Sequence, residues 1–305
     1  MNNSLSELTA IVVTFKTDIA LLRNCLNSID SRVKVVIVEN SKNFIHKNEI
    51  ENHYKNVKIL CSESNLGYGS GNNFGLDRTT TRYALILNPD VVCRENYFKN
   101  IEKYIDNKAD FSIIGSQYEN NEEWAPCGYF NNKKTIDFDP KKNPDLLKVD
   151  WVVGCSLLID LDKFKSAKIF DENFFLFFEE FDLCKQIKNS SGKVFSSKSL
   201  IIDHLGFKGS FAYEKDYKIE ALKLRNWHWM WSFFYYHKKN EGYFFALKKT
   251  FGKLIKSFFK SIYYFISFNR HERIKYSYRF LGLINSILGK KSWFRINFKF
   301  NDQGN

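Results

Sequence analysis

Four short stretches constrain this chain most: Leu8–Thr14, Val33–Val38, Val57–Leu60 and Tyr83–Leu87. All are dominated by β-branched and aliphatic residues, as strands buried on both faces require. Between the first two, Ile19, Leu21, Leu22, Leu26 and Ile29 recur at helical spacing over 18–29, and Asp18 stands where an N-cap belongs. A polar segment with helical character separates the second strand from the third. This strand–helix–strand–helix–strand opening predicts an α/β fold, with a mostly parallel sheet and helices on both faces.

The fourth strand ends in Asn88-Pro89-Asp90. Proline cannot continue a central strand, so Asp90 is left at the C-terminal tip. Ligands gather at that edge of open α/β sheets, and an acid there is placed to hold a metal and a phosphate. Taken alone, the three residues read more readily as a plain Asx-Pro turn. A helix over about 95–106 and a strand over about 111–116 are expected next. Residues 117–148 are polar, carry Pro126, Pro140 and Pro144, and read as a surface excursion. Trp151–Ile159 reads as one further strand ending in Asp160.

Three other clusters carry chemistry. The first runs from Asn65 through Gly67, Tyr68, Gly69, Gly71, Asn72 and Asn73 to Gly75. It fails the dinucleotide pattern G-x-G-x-x-G, because Phe74 stands at the third glycine, and it follows the third strand rather than the first. A Rossmann dehydrogenase is therefore disfavoured. The stretch suits a glycine-rich turn capped by Asn, or a backbone that approaches a sugar or phosphate closely. The second cluster places Glu179, Glu180 and Asp182 after an aromatic-rich run. If 179–189 is a helix, these acids occupy its first turn, where the dipole favours negative charge. A carboxyl beside an apolar wall also has a raised pKa, which suits a general base. The third is Ile201-Ile-Asp203-His204, followed by Gly206, Gly209 and Ser210. A lone His is more often structural than a ligand, but an acid at a strand tip needs a partner.

The order of these segments resembles family-2 glycosyltransferases of the GT-A fold, the Rossmann-like nucleotide-diphospho-sugar transferases. The bacterial rhamnosyltransferase-like subgroup is the most similar, and the resemblance covers about residues 8–240. The first strand, ending Thr14-Phe15, and the second, ending Glu39-Asn40-Ser41, match the family's nucleotide-binding strand ends, with Glu39 in place of the usual Asp. The Asn65–Gly75 stretch matches its glycine-rich loop. Asn88-Pro89-Asp90 matches a variant D-x-D motif. Phe170 to Leu183 matches its acidic motif, with Glu180 in place of the family's Asp base. His204 with Gly206 and Ser210 matches its late His-x-Gly-x-x-Ser.

The resemblance implies inverting displacement at a sugar's anomeric carbon. Glu180, or its neighbour Glu179, would be the base. Thr14, Phe15, Glu39, Asn40, Asn65, Gly67, Tyr68, Gly71, Asn73, Asn88 and Asp90 would bind the nucleotide-sugar. Asp182, Trp151 and Gly154 would face the acceptor. Asp90 and His204 would hold a divalent cation, Mg or Mn, with Asn88 unable to supply the charge of a first D-x-D acid. The donor expected is dTDP-rhamnose or a UDP-sugar, and the acceptor a glycan or polyprenyl-linked glycan of cell-surface polysaccharide synthesis. The departures at Glu39, Asn88 and Glu180 keep open a non-catalytic nucleotide- or carbohydrate-binding relative.

Charge divides the chain. Residues 219–305 hold 17 of the 46 Lys/Arg but only 4 of the 34 Asp/Glu, a net of +13, and 24 of the 52 aromatics. A catalytic domain over 1–218 and a basic aromatic helical tail over 219–305 are therefore expected. Within the tail, Phe244, Leu247, Phe251, Leu254, Ile255, Phe258, Ile262 and Phe265 recur at helical spacing over 244–266, with Lys249, Lys253, Lys256 and Lys260 opposite. That pattern suits an anionic membrane surface, and equally a helix packed on the catalytic domain. No nucleic-acid-binding signature accompanies the charge. The six cysteines are scattered without a C-x-x-C pair, which argues for reduced thiols. No leader pattern and no apolar run of about 18 residues is present. The expected location is cytoplasmic, peripheral on the inner face of the cytoplasmic membrane.

Overall fold

The computed structural model describes residues 4–118, 126–130, 145–164, 168–204 and 217–296. The chain divides into two compact units, one of Met1–Glu172 with Glu179–Phe211 and one of Asn173–Phe178 with Ala212–Asn305.

In the first unit the elements are β1 (Leu8–Thr14), α1 (Ile19–Asn27), β2 (Lys34–Glu39), α2 (Lys47–His53), β3 (Val57–Cys61), α3 (Tyr68–Leu76), β4 (Tyr83–Leu87), β5 (Val91–Cys93), α4 (Tyr97–Asp106), β6 (Ile113–Tyr118), β7 (Cys127–Gly128), β8 (Leu146–Lys148), β9 (Trp151–Val152), β10 (Ser156–Asp160), α5 (Glu179–Asn189) and β11 (Val194–His204). The main sheet runs β3-β2-β1-β4-β10-β6-β11-β5, with β8 also on β11. β1 to β4 pair parallel, as expected. β10 then inserts antiparallel between β4 and β6, and β5 and β8 join β11 antiparallel. The sheet is therefore mixed.

Strand alternation builds two cores. Ala10, Val12, Val35 and Ile37 pack with Leu22 and Leu26 of α1, Ile50 of α2 and Ile101 of α4. Ile11, Val13, Val36 and Val38 pack with Leu76 of α3 and Leu183, Cys184 and Ile187 of α5. Both sheet faces are thus covered, which is why the strands carry no polar side. Asp160, buried at the end of β10, accepts from Arg82 at 2.9 and 3.2 Å and ties that strand to the start of β4.

Three expectations change. The Asn65–Gly75 stretch contains a helix, α3, entered through Gly67 at φ +88°. A Cβ at Gly71 would lie 2.9 Å from Val13, and one at Gly75 would lie 2.7 Å from Ile11. These glycines let α3 sit close on β1. The expected strand Trp151–Ile159 is two strands: β9 pairs β7, and β10 enters the main sheet after a break at residues 153–155. The excursion 117–148 supplies β7 and β8.

The second unit contains α6 (Lys218–Glu241), α7 (Tyr243–Ile266) and α8 (Arg270–Ile287). Gly242 at φ +94° separates α6 from α7. α6 and α8 approach closely at Gly282, where a Cβ would lie 2.1 Å from the Trp227 carbonyl oxygen. Ser286 donates to Trp231 O at 2.9 Å, and Arg279 to Asn226 Oδ1 at 2.7 Å. His228 is buried and neutral: its Nε2 donates to Phe294 O at 2.8 Å, and burial lowers its pKa to about 3. The run before Glu179 belongs here. Phe174 packs on Tyr235, Phe175 on His228, and Phe178 on Trp229. Ser232 donates to Leu176 O at 2.8 Å.

Two glycine substitutions separate packing from propensity. Gly282→Ala is expected to destabilise by about 1–3 kcal/mol, because overpacking against backbone outweighs the gain in helix propensity. Gly252→Ala on α7, where a Cβ meets nothing within 4 Å, is expected to stabilise by about 0.5–1 kcal/mol. Denaturant unfolding of both variants checks the pair of signs.

Candidate functional site

The C-terminal ends of β1, β2 and β4 carry the first part of the site. Glu39, fully buried at the end of β2, accepts from the Thr14 hydroxyl at 2.6 Å, the Ser41 hydroxyl at 2.7 Å and the Lys16 N–H at 3.2 Å. These three donors fix the turn after β1, where half-buried Phe15 sits. Asn40 donates to Gly67 O at 2.9 Å, and Asn65 Oδ1 accepts from Gly67 N–H at 3.0 Å. Two asparagines thus shape the entry to α3.

Asn73 is engaged with the protein's own backbone. Its amide donates to Phe170 O at 2.8 Å and accepts from Phe170 N–H at 3.0 Å, and it is buried. Both ends of the side chain clamp the acidic motif's backbone to α3. Asp182 is likewise fully buried and accepts from Gln186 at 2.6 Å, so it orients the start of α5. Trp151 packs on Phe181 with ring centroids 5.0 Å apart.

Asp90 and His204 do come together. β11 lies antiparallel on β5 with His204 opposite Val91. This brings His204 Nε2 to 3.6 Å from Asp90 Oδ1, both side chains being largely buried. Asp203 pairs with Arg94 at 2.7 Å and holds the strand end. The separation exceeds a hydrogen bond. Two donors that each lie about 2.1 Å from a shared ion are spaced about 3.0–3.5 Å apart. The oxygen and imidazole donors therefore fit a divalent ion that takes its other ligands from elsewhere. Among the described residues no group of three or more His, Cys, Asp or Glu side chains is gathered to hold a metal. Gly206, Gly209 and Ser210 lie outside the described residues.

Glu179 and Glu180 form the second part. A Cβ at Gly69 would lie 3.4 Å from Glu179 Cβ, and one at Gly154 3.3 Å from Glu180 Cβ. Glycine at both positions makes room for the acids. Tyr68 donates to Gly154 O at 2.6 Å and neighbours both carboxyls. Burial raises Glu180 to about 7, opposed by the N–H groups of Glu180, Phe181 and Gly154. Burial, and then the Glu180 charge, raise Glu179 further.

Cys155 links the two parts, although the sequence did not single it out. Its carbonyl accepts from Asn88 N–H at 2.9 Å. Its thiol neighbours both Asp90 and Glu180, and burial pushes it up to about 12, so it stays protonated. Asn88 Oδ1, His204 Nε2, Glu179 Oε2 and Glu180 Oε2 are all buried without a hydrogen-bond partner. Polar atoms left unsatisfied together mark a place where a ligand completes the structure.

The profile of glycosyl transferase family 2 matches residues 9–161, half of the chain. The chain belongs to glycosyl transferase family 2. This family-2 chain is 26% identical over 200 residues to the low-salt glycan biosynthesis hexosyltransferase Agl10 of Haloferax volcanii, spanning 61% of the chain and 63% of that relative. It is 24% identical over 200 residues to the rhamnosyltransferase WbbL of Escherichia coli, spanning 55% of the chain and 70% of WbbL. The chain thus spans less than two thirds of the hexosyltransferase's length. Among solved structures it is similar to the mannosyltransferase PcManGT of Pyrobaculum calidifontis, in complex with GDP-Man and Mn2+. The TM-score is 0.54 at 12% identity, covering 93% of this chain and 88% of that one. S. aureus TarS gives a TM-score of 0.52 at 11% identity, covering 95% and 94%. The shared architecture is the GT-A fold.

The raised Glu180 has a sign. Folding keeps its proton on between about 4.5 and about 7, where the unfolded chain has lost it. Its contribution to stability is therefore complete below about 4.5 and lost as pH rises through 7. Glu180→Gln is expected to melt progressively higher relative to wild type as pH rises from 5 to 8; a constant offset would contradict this assignment.

Proposed function

We propose that this chain is an inverting glycosyltransferase. It transfers a hexosyl, rhamnose-like sugar from a dTDP- or UDP-activated donor to a glycan or polyprenyl-linked glycan. The setting is cell-surface polysaccharide synthesis at the inner face of the cytoplasmic membrane. The observation that carries the reading is the pair of buried acids at the start of α5, joined through Cys155 to Asp90 and His204. The two relatives' names, a hexosyltransferase and a rhamnosyltransferase, support the substrate class.

Glu180 is the base. It is the less raised of the two acids, because Glu180's charge makes Glu179 harder to ionise. It takes the proton of an acceptor hydroxyl as that oxygen bonds to the anomeric carbon and the bond to the diphosphate breaks. Glu179 stays protonated beside it. Asp90 and His204 hold a divalent ion, Mg or Mn, which supplies charge neutralisation of the departing diphosphate. PcManGT was solved with Mn2+, which supports that assignment. Thr14, Phe15, Glu39, Asn40 and the Asn65–Tyr68 turn line the nucleotide side, and Trp151 and Gly154 the acceptor side.

Glu180→Ala is expected to lower kcat by about 10²–10⁴-fold while leaving donor binding intact. The wild-type rate should rise with pH to a plateau above about 7. Full activity in Glu180→Ala would remove the assignment, and donor binding without transfer in the wild type would favour the non-catalytic relative. For the metal, Mn2+ is expected to add to the thermal stabilisation given by UDP or dTDP. Asp90→Ala and His204→Ala should each abolish that increment, read by thermal shift without turnover.

A further inference from the structure

Helix α7 packs the reverse of an ordinary surface helix. Its buried positions are small: Ala246, Thr250 and Ser257 are at most 3% exposed. The Thr250 hydroxyl returns to Ala246 O at 2.7 Å, so the stripe needs no outside polar partner. Leu247 and Leu254 turn partly inward against Met230, Phe234 and Leu283. The other large side chains point out. Phe244 is 84% exposed, Phe251 57%, Phe258 43% and Ile262 42%. In water, a surface helix buries its large apolar face. Small residues at the contact and large ones outside is the arrangement of helices whose surroundings are hydrocarbon.

Charge says what those surroundings are. α7 carries Lys248, Lys249, Lys253, Lys256 and Lys260 and no acidic residue. Among the described residues none of these lysines pairs with an acid; Lys253 lies over the Phe233 ring at 5.3 Å and Lys260 over that of Tyr276 at 4.9 Å. At about 100° per residue, Phe244, Phe251, Ile255, Phe258 and Ile262 form a row on one flank of the small stripe. Lys249, Lys253, Lys256 and Lys260 form a row on the other. A symmetric contact with a second copy through this face would bring like lysines together. Anionic headgroups would neutralise them. Among the described residues no helix is long and apolar enough to cross a membrane.

We propose that the outer face of α7 docks on an anionic lipid bilayer, lying in the plane of the interface with its aromatic row inserted. This names the surface at which the lipid-linked acceptor of the proposed function would be met, and it rests on that reading only for its biological setting. The test is sedimentation of the full chain with phosphatidylcholine vesicles, with and without phosphatidylglycerol, in the absence of donor, acceptor and metal. Binding is expected to vesicles with phosphatidylglycerol and to weaken with salt. The double variant Phe244→Ser/Phe251→Ser should weaken it by about tenfold or more, as should Lys249→Glu/Lys256→Glu, with melting temperatures unchanged because these side chains are largely exposed. Glu180→Ala should bind vesicles as wild type does, so a failed catalytic reading leaves this one standing. No binding to phosphatidylglycerol vesicles, or binding indifferent to both double variants, would overturn the proposal. A concentration-dependent dimer lost in the phenylalanine variant would overturn it in favour of a second copy.

Discussion

Burying Glu179 and Glu180 side by side is costly, because each carboxyl loses hydration and each charge opposes the other. Much of the first unit's local design answers that cost. Gly69 and Gly154 lie close against Glu179 and Glu180, where an added Cβ would come within 3.4 and 3.3 Å of their Cβ atoms. Asn73 grips the Phe170 backbone and sets where the acidic segment runs. Tyr68 donates to the Gly154 carbonyl, and the N–H of the same residue is turned to Glu180. Just before the pair, Phe177 and Phe178 both take left-handed backbone at φ +68° and +70°. Such backbone costs roughly 1–2 kcal/mol per residue. Packing of Phe178 on Trp229, Phe233 and Tyr236 offsets it.

The sheet was legible where a strand is apolar on both faces. β1, β2, β3 and β4 fall within a residue of the expected spans, because continuous aliphatic runs have few alternatives to a covered parallel sheet. α7 was legible from periodicity, whereas 179–189 reads as a helix only conditionally, from the acids at its start. The break at Gly154 was not, since Trp151–Ile159 reads as one apolar run and only the packing of Glu180 explains the interruption. α3 was hidden for the opposite reason: its glycines lower helix propensity, yet they are what lets the helix lie on β1.

Which candidate residues meet in space was not legible from their positions in the sequence. Asp90 and His204 are separated by more than a hundred positions, and β5–β11 pairing brings them together. Asn73 bonds the Phe170 backbone and Asp182 accepts from Gln186, contacts that the motif alone does not specify. Cys155 sits between the two halves of the site with no sequence signal, because a buried thiol has no pattern until its neighbours are known. The rings of the aromatic run before the acids pack on α6, a partner that the run itself does not name.

The inverted packing of α7 also changes what a substitution there means for the fold. In most helices the phenylalanines are intolerant and the serines are free. Here Ala246, Thr250 and Ser257 occupy the close contact, so even one added methylene presses on neighbours. The exposed Phe244 and Phe251 can vary with little effect on stability. Tolerance along this helix therefore runs against residue size, and sequence drift on its outer face would reveal pressure from the environment rather than from folding.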